Sequence, residues 1–261
     1  MGNCMCPHST RTQEEAKALR GRGLKYTARE KRPEYTFDTG AKFTGEWIGE
    51  LRDGHGTQIW PDGARYEGQW VEGEAHGRGK FLHANGDVYD GNWQRDKAHG
   101  HGAYTHANGT KYEGQWISDH QDGNGKETWP DGAKYQGQYR SGVKHGSGNF
   151  SWTDGSKYDG EFANNCFSGE GTYVWEDRRQ YEGQWVANQM HGSGYFAWSD
   201  GRCYRGEYEK DLKHGRGVFK WPDGRQYDGQ WNLGKMHGSG TYTTSAGNEH
   251  KGEWEDGKRI K

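Results

Sequence analysis

Apolar and polar residues alternate at a spacing of two in short runs separated by glycine-bearing turns, and the whole pattern recurs every 23 residues. In Tyr66–Val88, YEGQWVEGEAHGRGKFLHANGDV, alternation puts Tyr66, Gly68 and Trp70 on one side of an extended chain and Glu67 and Gln69 on the other. Gly79, Phe81 and His83 share a side in the second half. Period two predicts two strands per unit. A helical reading fails because the chain holds 45 Gly, each costing about 1 kcal/mol against Ala in a helix interior. Nine ungapped copies begin at Phe43, Tyr66, Tyr89, Tyr112, Tyr135, Tyr158, Tyr181, Tyr204 and Tyr227, and a partial copy follows from His250.

The turns are legible too. Trp60-Pro61-Asp62-Gly63 returns as Trp129-Pro130-Asp131-Gly132 and Trp221-Pro222-Asp223-Gly224, where Pro presets φ and Gly takes a left-handed conformation. A looser connection, roughly six residues ending at His-Gly, is expected between the two strands of a unit. No unit can bury its aromatic side alone, so hairpins must stack. The expected fold is all-β: an elongated, single-layer, twisted antiparallel β-meander. Two strand spacings per unit give about 9.6 Å, so nine units span on the order of 85 Å. Tyr35–Lys42 reads as an opening strand and His250–Trp254 as a closing one. The boundary falls between an arm, 1–33, and an array, 34–261. The exposed ends suit self-pairing into a homodimer. The aromatic rows offer a partner surface: Trp47, Tyr66, Trp70, Tyr89, Trp93, Tyr112, Trp116, Tyr135, Tyr139, Tyr181 and Trp185.

Low mean hydropathy, -1.33, points towards disorder, but all 13 Trp fall at only two positions of the unit, which disordered chains do not achieve. Net charge is -2, and acidic and basic residues alternate along the array. That removes the basic groove a nucleic-acid binder needs beside its stacking rings. Four cysteines are too few and too scattered for a disulfide framework. Neither a secretory leader nor a membrane-spanning apolar run is visible. His76, His99, His145, His191, His214 and His237 occupy one position of the unit, too far apart between copies to share a metal. They read as structural, with a pH-sensitive row as the alternative. His-Gly-Ser-Gly at His191 and His237 lacks a nucleophile or a Walker lysine beside it. Catalytic residues, metal ligands and cofactors are therefore not expected. Cys166 and Cys203 read as free thiols in a loop and a turn.

The arm differs in kind. It begins Met-Gly-Asn-Cys-Met-Cys and carries a net charge of +5 over residues 1–33. Removal of Met1 exposes Gly2 for N-myristoylation, although Cys6 stands where the motif favours Ser or Thr. Cys4 and Cys6 are candidate palmitoylation sites. One myristoyl chain anchors only marginally, and a second chain or a basic patch makes anchoring stable. Lys17, Arg20, Arg22, Lys25, Arg29, Lys31 and Arg32 supply the patch, at about 1 kcal/mol each beside an anionic leaflet. Thr12-Gln-Glu-Glu15 before Ala16–Leu19 has the form of a capping box, so the arm is expected as a short helix or as disorder.

The recurring aromatic-x-Gly-Glu/Gln-aromatic, the downstream Gly-x-Gly and the Asp-Gly turn at period 23 resemble MORN repeats over residues 35–261. That resemblance implies an extended β-meander without enzymatic activity, acting as a scaffold for proteins, in some members for a helical segment laid along the sheet. With the arm, it implies a lipoprotein tethered to the cytosolic face of a membrane. Two alternatives remain open: a structural component of the cilium or cytoskeleton without an anchor, and a direct phospholipid-binding module. The sixth copy deviates most, at Ala163–Ser168 and Glu176–Gln180, which reads either as drift in a tolerant turn or as a partner-specific surface.

Overall fold

The computed structural model describes residues 28–261, and all regular structure among them is β-strand. Its 21 strands belong to one antiparallel sheet in which consecutive strands pair as hairpins. The chain divides into two compact units. The first comprises the described residues through Pro130 with Tyr139–Gly142; the second comprises Asp131–Gln138 with Val143–Lys261.

In the first unit β1 (Glu30–Thr36), β2 (Lys42–Ile48), β3 (Leu51–Ile59), β4 (Arg65–Val71) and β5 (Glu74–Leu82) follow in order. They continue into β6 (Val88–Gln94), β7 (Lys97–Thr105), β8 (Lys111–Ile117) and β9 (His120–Thr128). β10 (Lys134–Arg140) gives residues to both units. The second unit continues with β11 (Val143–Ser151), β12 (Lys157–Ala163), β13 (Cys166–Val174), β14 (Gln180–Val186) and β15 (Gln189–Ala197). It closes with β16 (Cys203–Glu209), β17 (Leu212–Lys220), β18 (Gln226–Asn232), β19 (Lys235–Thr243), β20 (Glu249–Glu255) and the short β21 (Lys258–Arg259).

Each repeat pairs a seven-residue strand with a nine-residue one, as β4 with β5. The surplus is absorbed by a register shift between Gly68 and Gln69, where Gly68 faces Gly79 but Gln69 faces His76. Gly77 turns the chain there with φ +63°, and a Cβ on it would run into the Gln69 side chain. Gln69 Oε1 in turn accepts the Arg78 N–H at 2.7 Å, so the Glu/Gln of the motif satisfies the donor that the bulge orphans. Gln115, Gln138 and Gln184 do the same for Asn124, Ser147 and Ser193.

Three expectations need correction. The connection inside a repeat is a two-residue turn rather than a loose six-residue loop: Glu72 and Gly73 both have positive φ, as do Arg95 and Asp96. This geometry matches the strand twist, and it puts His76 inside β5. Cys166 and Cys203 accordingly start β13 and β16 rather than lying in a loop and a turn. The sheet also starts earlier than Tyr35, because Glu30–Arg32 pair with Gly45–Trp47, with Pro33 at the irregularity before Tyr35.

Candidate partner-binding faces

The alternation Tyr-x-Gly-x-Trp builds one face. Gly68 and Gly79 face each other across β4 and β5, and the Tyr66 ring occupies the space both leave open. Its hydroxyl donates to the Gln69 carbonyl at 2.9 Å. Trp70 stands edge-on to Tyr66 at 4.9 Å and to Phe43 of the preceding repeat at 5.4 Å. Trp70 Nε1 donates back to the Gly56 carbonyl at 3.1 Å. Trp70, Trp93, Trp116, Trp185 and Trp231 each tie two repeats in this way, by a ring edge and a hydrogen bond. Edge-to-face pairs contribute about 0.5–1.5 kcal/mol beyond their area.

The ladder continues through Tyr89, Trp93, Tyr112 and Trp116 and ends the first unit on Tyr139, 5.1 Å from Tyr112. In the second unit it runs from Tyr135 and Phe162 through Tyr181 and Trp185 to Tyr227 and Trp254. Burial pushes the Tyr227 phenol up to about 12. Trp47 begins the ladder and its Nε1 finds no acceptor; Arg32 stacks over its ring at 5.2 Å.

The eleven ring residues expected as a partner surface are core instead, each between 0% and 4% exposed. They include Trp47, Tyr66 and Trp70, Tyr89, Trp93, Tyr112, Trp116, Tyr135, Tyr139, Tyr181 and Trp185. The reason is physical: glycines at two facing positions let the Tyr ring sink onto the backbone, and the next Trp covers it. The half-buried rings include a row at the turn position, Trp60, Trp152, Trp175, Trp198 and Trp221.

Gly2, Cys4, Cys6, Lys17, Arg20, Arg22, Lys25 and the helix expected near Ala16 lie outside the described residues. Arg29, Lys31 and Arg32 lie within them. Arg29 pairs with Asp53 at 2.6 Å and Arg32 with Glu30 at 2.6 Å, which ties both to the sheet. Lys31 is exposed and faces Glu46 in the register.

Departures from the repeat build polar clusters that the sequence pattern did not announce. Arg52 is buried under Phe37 and Trp70, contacts Gln58 and the Gly73 carbonyl, and burial lowers its pKa to about 10 against the pull of Asp96. In two consecutive turns His83 and His106 replace Trp. Between them Asp87 accepts Tyr104 Oη at 2.7 Å and the Ala107 N–H at 2.8 Å, with His106 Nδ1 3.4 Å away. Burial pushes the Asp87 carboxyl up, and these hydrogen bonds with the His106 charge outweigh it, so its pKa falls below the ordinary value. His83 Nε2 is buried without a partner, and burial lowers its pKa. The readable signal was joint: Asp87 stands where other turns carry Ala64, Ala133 or Ser156.

In the sixth copy Asn164 and Asn165 make the ordinary tight turn, with φ +50° and +68°. Phe167 stacks on Tyr158 at 3.8 Å, so this deviation is packed into the ring face. Arg178, in the glycine place of the next turn, is held at φ +67°.

Among the described residues no group of three or more His, Cys, Asp or Glu is arranged to hold a metal. Among the described residues no helix is long and apolar enough to cross a membrane.

A model of the MORN repeat matches nine segments: 43–65, 66–88, 89–111, 112–134, 135–157, 158–178, 181–201, 204–224 and 227–249. The chain belongs to the MORN-repeat family. A search of curated proteins finds no match. Among solved structures, the G-box domain of the microcephaly protein CPAP is 14% identical, over 77% of this chain and 100% of that one, with a TM-score of 0.40. The TCP domain of Drosophila melanogaster SAS-4, solved with a proline-rich motif of Ana2, is 14% identical over 77% and 90%, with a TM-score of 0.33. The TCP10 domain of Danio rerio CPAP is 12% identical over 85% and 94%, with a TM-score of 0.27. Likeness at this level carries no argument about function.

Proposed function

We propose that the chain is a non-enzymatic scaffold: its repeat sheet holds protein partners, and its amino-terminal arm tethers it to the cytosolic face of a membrane. The observation that carries the scaffold reading is how the repeat spends its residues. The Tyr, Trp, paired glycines and Glu/Gln of the motif have structural partners within the sheet. What the repeats leave outward is a long polar face and a row of half-buried turn rings, surfaces suited to holding a partner rather than transforming a substrate.

The tether rests on Gly2 beside Cys4 and Cys6, with Lys17, Arg20, Arg22 and Lys25 as the basic patch. Arg29 and Arg32 drop out of that patch because both are engaged in the sheet. Fractionating cells that express the full chain or its Gly2→Ala variant, after feeding an alkyne-tagged myristate, tests the tether. The expected result is loss of both label and membrane pelleting in the variant. Unlabelled parent protein, or equal pelleting of the two, favours an unanchored scaffold.

A further inference from the structure

The paired glycines have a second side. From β13 to β20 they form an unbroken row across the strands: Gly171 faces Gly183, Gly183 faces Gly194, and the pairing continues through Gly206, Gly217, Gly229 and Gly240 to Gly252. On the ring face the Tyr side chains occupy that row; a Cβ on Gly194 would meet Tyr181. On the opposite face Gly183, Gly194, Gly206, Gly240 and Gly252 line open depressions among the described residues. The residues flanking each glycine point away from the rings and stand as two walls around a floor of bare backbone.

Two open depressions of about 530 and 540 Å³ lie along this trough and meet at Arg216. One wall carries Glu182, Arg205, Asp228 and Lys251, each in the same place of successive repeats, so its charge alternates in sign from one repeat to the next. Arg205 is held in place over the Tyr195 ring at 4.8 Å. The other wall adds Glu170, Glu207 and Glu253 with Arg216, leaving the trough with five carboxylates against three cations.

Spacing limits what fits. Successive wall charges are two strands apart, about 9.6 Å. Three residues of a polyproline II chain complete one turn and advance about 9.3 Å. A peptide of that conformation lying across the strands therefore returns a side chain to the same wall at every third residue, whereas a β-extended one would alternate sides. We infer that this glycine-floored trough of the second unit binds a peptide segment in the polyproline II conformation whose charged residues recur every third position with alternating sign, Lys or Arg opposite Glu182 and Asp228 and Glu or Asp opposite Arg205 and Lys251. The floor suits such a ligand because it presents no side chain to hold the peptide backbone off. The inference rests on the scaffold reading above and names the surface and the partner chemistry for it.

The test uses the full chain and three fluorescent synthetic peptides of equal composition. One carries Lys, Glu, Lys and Glu at every third position, one carries them at every second position, and one has the charges clustered. Fluorescence anisotropy at low salt is expected to give the first peptide a Kd about tenfold below the others, with the preference fading as added salt screens the charges. Glu182→Lys with Asp228→Lys is expected to weaken that peptide by about tenfold, and Ser193→Trp, which narrows the trough without changing charge, to weaken it as well. Unchanged urea midpoints show that the variants fold. Equal binding of the three peptides, no binding at low salt, or indifference to both sets of substitutions overturns the inference. Each of those results leaves the Gly2→Ala outcome untouched, so failure of the trough and failure of the tethered-scaffold reading are distinguishable.

Discussion

Tyr66 lies over Gly79 so closely that a Cβ on the glycine would overlap the phenol ring, and one on the facing Gly68 would stand 2.7 Å from its oxygen. Gly79→Ala forces the ring off the backbone and away from the Gln69 carbonyl and Trp70. The expected loss is about 1–3 kcal/mol, the range for overpacking a core, read as a lower urea midpoint. Gly79 has no positive φ, so the cost comes from contact and not from the backbone. A double-mutant cycle separates the two: with Tyr66→Ala in place, Gly79→Ala is expected to cost much less. Equal costs in both backgrounds would falsify the contact explanation.

Arg178 tests the opposite case. Its φ of +67° lies in the left-handed region that glycines occupy at the equivalent place, with φ +91° at Gly155, +88° at Gly201 and +89° at Gly224. A non-glycine residue there carries about 1–2 kcal/mol of steric cost. Arg178→Gly is expected to stabilise the chain by about 1 kcal/mol once the greater freedom of glycine in the unfolded chain is subtracted. A fall in midpoint would mean that the Arg178 side chain holds something the turn needs, and would revive the partner-surface reading of the sixth copy.

The hairpins and their stacking were legible because a fixed period of 23 residues repeats the same local physics. What escaped were contacts one repeat away. Trp70 reaches the Gly56 carbonyl and Asp96 Oδ1 accepts the Ala75 N–H, distances of 14 and 21 residues that no period-two pattern marks. The tight turn was missed because Glu72-Gly73 and Arg95-Asp96 lack the Asn-Gly form that advertises a hairpin. Whether a ring is surface or core was missed for a related reason. Alternation assigns Trp93 to a face, but only the neighbouring strands decide that the face is closed over by Tyr66 and Tyr89.

The His83–Asp87–Tyr104–His106 cluster should make stability depend on pH. Burial depresses the folded pKa of His83, so the unfolded chain binds more protons around pH 6. Its contribution is complete above the unfolded value of about 6.5 and is lost as pH falls through that value towards the lower folded one. Asp87, also depressed, adds a second loss below the ordinary carboxylate range. On acidification from pH 7 to pH 5, the difference in thermal midpoint between the parent and His83→Phe, which borrows the residue of the opening turn at Phe37, is expected to move against the parent. The parent should lose more over that window. Parallel curves would show that His83 does not sense pH.

Lys213, like Arg52 and Lys144, puts a cation where other repeats place Ala75, Ala98, Met190 or Met236. Its Nζ lies 5.2 Å from the Trp198, Phe219 and Trp231 ring centres and 5.5 Å from that of Tyr204. Two effects oppose each other. Burial, with Arg202 nearby, lowers the lysine pKa, while the ring faces attract the ammonium by about 0.5–2 kcal/mol. Because they oppose each other, Lys213→Met, which keeps the volume and drops the charge, is expected to change stability by less than about 1.5 kcal/mol. Lys213→Ala removes the stem that fills the space between four rings and should cost more. Lys213→Glu should be the worst of the three, because it turns a carboxylate towards the negative ring faces with no cation to replace the one lost. The ranking Met, Ala, Glu in urea midpoint checks the balance of packing and charge. A glutamate variant as stable as the methionine one would show that the side chain swings out to water and that the cage contributes nothing.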